Sequence, residues 1–161
     1  MNPALKTFYT CVICSFSVCA YSQDTLEARS IDSLVKIIDN ADFPFKRDTI
    51  KYNRRGYSGL TYVTIVTSGS GLKKYVSDNT ITRKRNRQIN KTVTNSTFYF
   101  NQNKLVKVEE FIISYGKKVQ NSYYYKNEKP IFSSSKANSY VKRDAFMLQT
   151  AKGILNQHGF K

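Results

Sequence analysis

The sequence predicts an α+β fold: an N-terminal helix, an antiparallel β-sheet meander of about five to seven strands, and a C-terminal helix packed on one sheet face. Two segments, one near residue 30 and one near residue 150, carry apolar side chains at helical spacing. The chain between them is rich in β-branched and aromatic residues. Polar connections of a few residues interrupt this middle region. Connections this short join antiparallel neighbours, because a parallel crossover needs about a dozen residues.

The first helix is expected over residues 24–40. Asp24 and Glu27 have the spacing of a capping box, in which the two side chains satisfy free amide groups at the helix start. Pro44 disfavours helical backbone at the residue before it, so the helix must end earlier. The apolar face of this helix comprises Leu26, Ile31, Leu34, Val35 and Ile38.

Strands are expected where β-branched and aromatic residues concentrate between turn-forming residues, namely residues 57–67, 92–100, 104–114, 119–125 and 130–132. The third segment also has apolar residues at helical spacing, but its valines, its isoleucines and its flanking turns favour a strand. Residues 97–106 resemble residues 122–131, since each has a hydroxyl residue, three aromatic residues, a polar turn, a lysine and two apolar residues. This repetition predicts two equivalent hairpins.

The last helix is expected to begin after a cap at Asn138 or Ser139 and to end near Gly159. Its apolar face comprises Val141, Ala145, Leu148, Ala151 and Leu155. We expect both helices to cover the same face of the sheet, which gives a layered α+β sandwich.

Residues 1–20 have the pattern of a cleaved secretory signal peptide. A lysine precedes the uncharged and mostly apolar or small residues 7–20, which end in Val18-Cys19-Ala20. The alternatives are a membrane anchor, which needs about 20 predominantly apolar residues, and a lipoprotein, because all three cysteines lie here. Cleavage leaves residues 21–161 as a single cysteine-free domain. We expect it to be exported to the periplasm or the cell surface of a bacterium.

The chain has 26 Lys and Arg against 11 Asp and Glu, a formal charge of +15. On one strand, alternate arginines share a face about 7 Å apart and can bridge successive phosphates or carboxylates. The alternative is a solvated hairpin or an edge strand whose cations discourage aggregation. No motif for sequence-specific recognition of nucleic acid accompanies the cluster. The candidate anion-binding residues are Arg83, Lys84, Arg85, Arg87 and Lys91.

Two aromatic triplets, at residues 98–100 and 123–125, allow two interpretations. In each triplet the outer side chains point to one face of a strand and the central side chain points to the other. One face belongs to the core. The other face is either a stacking surface for sugars, bases or peptide side chains, or it is covered by a helix or packs against side chains of neighbouring strands. The candidate aromatic surface comprises Tyr99, Tyr123, Tyr124 and Tyr125.

The single histidine, His158, and the confinement of cysteine to the leader leave no metal-ligand set, catalytic triad or cofactor motif. We therefore predict no catalytic, cofactor-binding or metal-binding residue. Glu109 and Glu110 are adjacent, so on a strand they face opposite sides and cannot act on one bond. We expect a non-enzymatic binding domain that holds an envelope protein or an anionic polymer through a sheet face and the basic strand. The alternatives are a small envelope hydrolase that uses one carboxylate, Glu110 or Asp78, and a structural subunit of a surface assembly.

Overall fold

The computed structural model describes residues 25–85, 88–134 and 143–160, and only the backbone of Arg85. Helix α1 spans residues 25–40. The strands form one sheet in chain order, and each strand pairs antiparallel with the next. The other elements are β1 Phe45–Arg54, β2 Tyr57–Ser68, β3 Gly71–Arg85, β4 Gln88–Asn101, β5 Lys104–Ser114, β6 Lys117–Lys126, β7 Lys129–Ser133 and α2 Arg143–Gln157.

The predicted α+β class and antiparallel meander are confirmed. The segment with mixed periodicity is strand β5. Strands β1 and β3 were not among the expected segments, because both are polar and rich in charge. Each pairs along its length with the apolar strand β2, and such pairing outweighs weak intrinsic preference. The predicted cap of the last helix, Asn138 or Ser139, lies outside the described residues.

The larger core lies between α2 and one face of the sheet, which we call the α2 face. Helix α2 contributes Met147, Ala151 and Ile154 to this core. The sheet contributes a continuous set of buried apolar side chains from β2 to β6: Val63, Ile65, Leu72, Phe98, Phe100, Leu105, Val108, Tyr123 and Tyr125.

Helix α1 packs on the opposite face, which we call the α1 face, where Val35 and Ile38 contact Tyr99. The expectation that both helices share a face is therefore wrong. The reason lies in the aromatic triplets. Because side chains alternate along a strand, Tyr99 and Tyr124 project away from α2 and need a cover of their own.

Ion pairs fasten α1 to the sheet as well. Asp39 of the helix lies 2.6 Å from the ammonium of Lys74, and Glu27 pairs with Lys126. Both lysines belong to strands, β3 and β6, so the contacts tie the two ends of the helix to different strands. The acidic residues of the N-terminal segment thus dock α1 on a basic sheet.

The central ion pair of this interface is the most buried one. The ammonium of Lys107 donates to Asp32 at 2.7 Å and contacts Glu109 at 2.6 Å, and the Lys107 side chain is only 8% exposed. The hydroxyl of Tyr124 also donates to Asp32, at 3.0 Å. Burial lowers the pKa of Lys107, but the hydrogen bonds with Asp32 and Glu109 outweigh it and raise that pKa above its usual value.

The two predicted hairpins are confirmed and share one turn geometry. Their turn residues are Gln102 and Asn103 in the β4–β5 hairpin, and Asn127 and Glu128 in the β6–β7 hairpin. All four have φ between 49° and 61°. Two successive left-handed residues define the type I′ turn, whose twist matches that of the flanking strands.

Candidate anion-binding site

The predicted basic cluster lies at the tip of the β3–β4 hairpin and is divided between the two strands. Arg83 and Lys84 lie near the end of β3, Lys91 lies in β4, and Arg87 is outside the described residues. The pairing places Arg83 on the α2 face, and Lys84 and Lys91 on the α1 face. Since β3 and β4 are interior strands, the edge-strand interpretation is wrong, whereas the solvated-hairpin interpretation stays a prediction. Whether Arg83, Arg85 and Arg87 share a face stays a prediction.

Two other hairpin ends place more cations beside this one. Alternate turns of a meander lie at the same end of the sheet, so the turns at residues 55–56 and 115–116 flank the β3–β4 tip. The amide of Lys84 donates to the carbonyl of Gly56 at 3.0 Å, which fixes the first of these turns against β3. We call this region the cationic end, and its described cations are Lys51, Arg54, Arg55, Arg83, Lys84, Lys91, Lys117 and Lys118.

The cations of the cationic end are exposed, and none forms an ion pair with a carboxylate of the described residues. No Asp or Glu occurs in the segments that build this end, which are residues 50–60, 80–85, 88–93 and 113–120. Like charges repel one another, so such a cluster has an unfavourable electrostatic energy that an incoming anion relieves. The cationic end therefore has the electrostatics of an anion-binding surface.

The spacing of the strands gives the dimensions of this surface. Arg54 is opposite Tyr57, and Tyr57 is opposite Arg83, so the two arginines lie on the α2 face about 10 Å apart. Five interstrand spacings separate β1 from β6, so the cationic end is about 24 Å wide. The pairing places Lys117 on the α2 face and puts the remaining cations of the paired strands on the α1 face: Lys51, Lys84, Lys91 and Lys118.

Exposed aromatic and apolar side chains lie among these cations. Tyr115 is 72% exposed, Ile89 is 64% exposed and Tyr57 is 41% exposed. The guanidinium of Arg83 lies 5.1 Å from the centroid of the Tyr57 ring, within the range of a cation–π contact. The surface thus combines positive charge with large side chains that are apolar or amphipathic.

The four tyrosines predicted as an aromatic surface lie elsewhere. Tyr99, Tyr123, Tyr124 and Tyr125 are at most 8% exposed, so they offer no open ring face to a ligand. The alternative interpretation, cover by a helix, describes them: Tyr123 and Tyr125 belong to the α2-face core, and Tyr99 and Tyr124 contact α1. Burial raises the pKa of Tyr99 and of Tyr125 and so keeps both hydroxyls protonated.

Glu110 and Asp78, either of which was a candidate for a hydrolase with one carboxylate, lie in different surroundings. The side chain of Glu110 is 1% exposed and contacts the guanidinium of Arg143 and the amide of Asn121. It lines a groove of about 610 Å³ between α2 and the sheet. Asp78 is exposed, accepts a hydrogen bond from Asn95 and lies on the α1 face. The structure therefore places the two acids on opposite faces, and the hydrolase alternative, which uses only one of them, stays a prediction.

Sequence reasoning identified the β3–β4 tip and missed the cations of the two neighbouring turns. The signal was present, because Arg54-Arg55 precedes Gly56 and Lys117-Lys118 follows Gly116. A basic pair beside a turn glycine lies at a hairpin end. In a meander, every second hairpin end is on the same side.

Comparisons with protein-family models, with curated proteins and with solved structures give no match. Within the described ranges, no helix is long and apolar enough to cross a membrane.

Proposed function

We propose that this protein is an exported, non-enzymatic binding domain that holds an anionic partner of the bacterial envelope on the cationic end of its sheet. The observation that carries the proposal is the convergence of three hairpin ends into one exposed cluster, with no carboxylate among the described residues that build it. The leader pattern of residues 1–20 supports export. The two helices lie toward the other end of the sheet, so they leave this surface open.

Binding of this kind depends strongly on salt. An anionic partner that contacts several of the cations displaces their counterions, so affinity falls as a power of the salt concentration. For a polyanion the exponent is about 0.7–0.9 for each phosphate contact. The number of contacts can therefore be measured from the salt dependence.

The test is retention of the purified protein on a heparin column, together with affinity for soluble heparin at several salt concentrations. In the test variant, Arg54→Glu, Arg83→Glu and Lys117→Glu reverse exposed charges on one face of the cationic end. A matched control, Lys36→Glu, Lys104→Glu and Lys129→Glu, changes the net charge equally. Its three lysines are exposed, form no ion pair with a described carboxylate and lie outside the cationic end.

We expect the natural protein to elute above physiological salt and the control to behave much like it. The test variant should elute far earlier, and its salt exponent should fall by about 2–3, since about three contacts are lost. Equal losses in both variants would show that total charge alone drives retention. That outcome, or elution of the natural protein below physiological salt, would contradict the proposal.

A further inference from the structure

The arrangement of the cations restricts the shape of the partner. Arg54, Arg83 and Lys117 project on the α2 face, whereas Lys84 and Lys91 are among those that project on the α1 face. A linear polymer lying along one face of the sheet meets only one of these groups. A flat partner that approaches the strands end-on meets both groups at the same time.

The apolar side chains at this end point to the nature of that flat partner. Ile89 is 64% exposed at the base of the β3–β4 tip, and Tyr115 is 72% exposed in the β5–β6 turn. An aqueous polyanion gives no favourable environment to an isoleucine side chain. A bilayer surface does, because tyrosine and aliphatic side chains enter the boundary between headgroups and acyl chains while lysines and arginines stay at the headgroups.

We infer that the cationic end docks end-on onto an anionic phospholipid bilayer, with the hairpin tips against the headgroups and Ile89 and Tyr115 at the acyl boundary. This inference rests on the proposed function and names its partner. The strands then stand upright on the bilayer. β3 has 15 residues, so it spans about 50 Å. The sheet therefore holds α1 and α2 clear of the surface.

The expected affinity follows from the same cations. Each lysine or arginine near an anionic surface strengthens binding by roughly five-fold at physiological ionic strength. Reversal of three charges should therefore weaken binding by more than a hundred-fold, an order-of-magnitude figure. Removing the two large side chains should weaken it by about ten-fold, since together they bury a modest apolar area.

The main experiment uses the absence of tryptophan from the chain. In the Tyr115→Trp variant the new side chain is the only indole, and it reports its own surroundings by fluorescence. A matched control is Phe132→Trp, because Phe132 is 39% exposed in β7, away from the cationic end. Both variants are titrated with vesicles of phosphatidylcholine alone and with vesicles that also contain phosphatidylglycerol.

We expect a blue shift and protection from aqueous quencher for Tyr115→Trp with the anionic vesicles only. The Phe132→Trp control should show neither change. Equal binding to neutral vesicles, or binding to anionic vesicles without a shift for Tyr115→Trp, would overturn the end-on geometry.

A second comparison separates this inference from the proposed function. The variant Ile89→Thr with Tyr115→Asn keeps every charge, and Asn before Gly116 suits the left-handed backbone at position 115, where φ is 51°. It should lose about ten-fold in vesicle affinity and keep its heparin retention. The control Ile37→Gln with Phe45→Thr changes exposed apolar residues elsewhere and should bind vesicles normally.

Retention on heparin without vesicle binding would overturn the bilayer inference and leave the proposed function intact. If the natural protein bound neither heparin nor anionic vesicles, the bilayer inference and the proposed function would both be overturned.

Discussion

The contact between Asp32 and Lys107 should contribute more to stability than any other ion pair of α1. Lys107 is 8% exposed on its side chain, and Asp32 also accepts a hydrogen bond from Tyr124. The change Asp32→Ala removes the hydrogen bond from Lys107 and the hydrogen bond from Tyr124 at once. It leaves the buried ammonium with Glu109 as its one remaining carboxylate partner among the described residues.

The expected loss can be worked out from these contacts. Both hydrogen bonds go to the charged carboxylate of Asp32, and a hydrogen bond to a charged group contributes about 1.5–3 kcal/mol. The side chain of Asp32 is 41% exposed, so in the intact protein part of its hydration is already retained, which reduces both contributions. We therefore expect Asp32→Ala to lower the free energy of unfolding by about 2 kcal/mol. A double-mutant cycle with Lys107→Met should give a coupling of about 1 kcal/mol or more.

The measurement is urea unfolding followed by circular dichroism, with hydrogen exchange of the α1 amides as a local readout. The control cycle uses Glu128→Ala and Lys152→Met, because that pair is 3.4 Å apart and both side chains are about half exposed. Exposed pairs of this kind couple by about 0–1 kcal/mol. If the two cycles gave the same coupling, burial of Lys107 would not strengthen its ion pair, and our account of how α1 is docked would be refuted.

Two other predictions concern alkaline pH and a turn. Folding raises the pKa of Lys107 and of buried tyrosines such as Tyr99 and Tyr125. In the unfolded chain these groups have pKa values of about 10. The stability that each protonated group contributes to the fold is therefore complete below that pH and is lost as the pH rises above it. The free energy of unfolding should therefore fall above about pH 10, by about 1.4 kcal/mol per pH unit for each group that stays protonated in the folded state. A free energy of unfolding that did not change with pH in this range would contradict the prediction. In the β6–β7 turn, Glu128 has φ of 61°, so Glu128→Gly should raise stability by about 1 kcal/mol in urea unfolding. A lower urea midpoint would show that the left-handed backbone is not strained there.

Local sequence signals were enough to predict α1, the hairpin repeat and most strands. These signals were helical spacing, runs of β-branched residues, and polar turns that recur 25 residues apart. They failed for β1 and β3, whose polar sequences become strands by pairing with β2. They also failed for the layer arrangement. The alternation that puts Tyr99 opposite Phe98 was predicted from the sequence, and so was helix cover as one interpretation of the second aromatic face. The prediction nevertheless placed both helices on one face, whereas α1 and α2 cover opposite faces.

The position of the acidic residues decides where the proposed anion-binding surface lies. Basic residues occur along most of the sheet, but Lys74, Lys107 and Lys126 meet carboxylates of α1. Their charges are therefore compensated inside the fold. The cations of the cationic end have no such partners among the described residues, because α1 covers the other part of the sheet. A linear scan for the densest run of bases finds the β3–β4 tip. Only the fold shows which other bases remain uncompensated beside it, since that depends on which face and which end of the sheet α1 occupies.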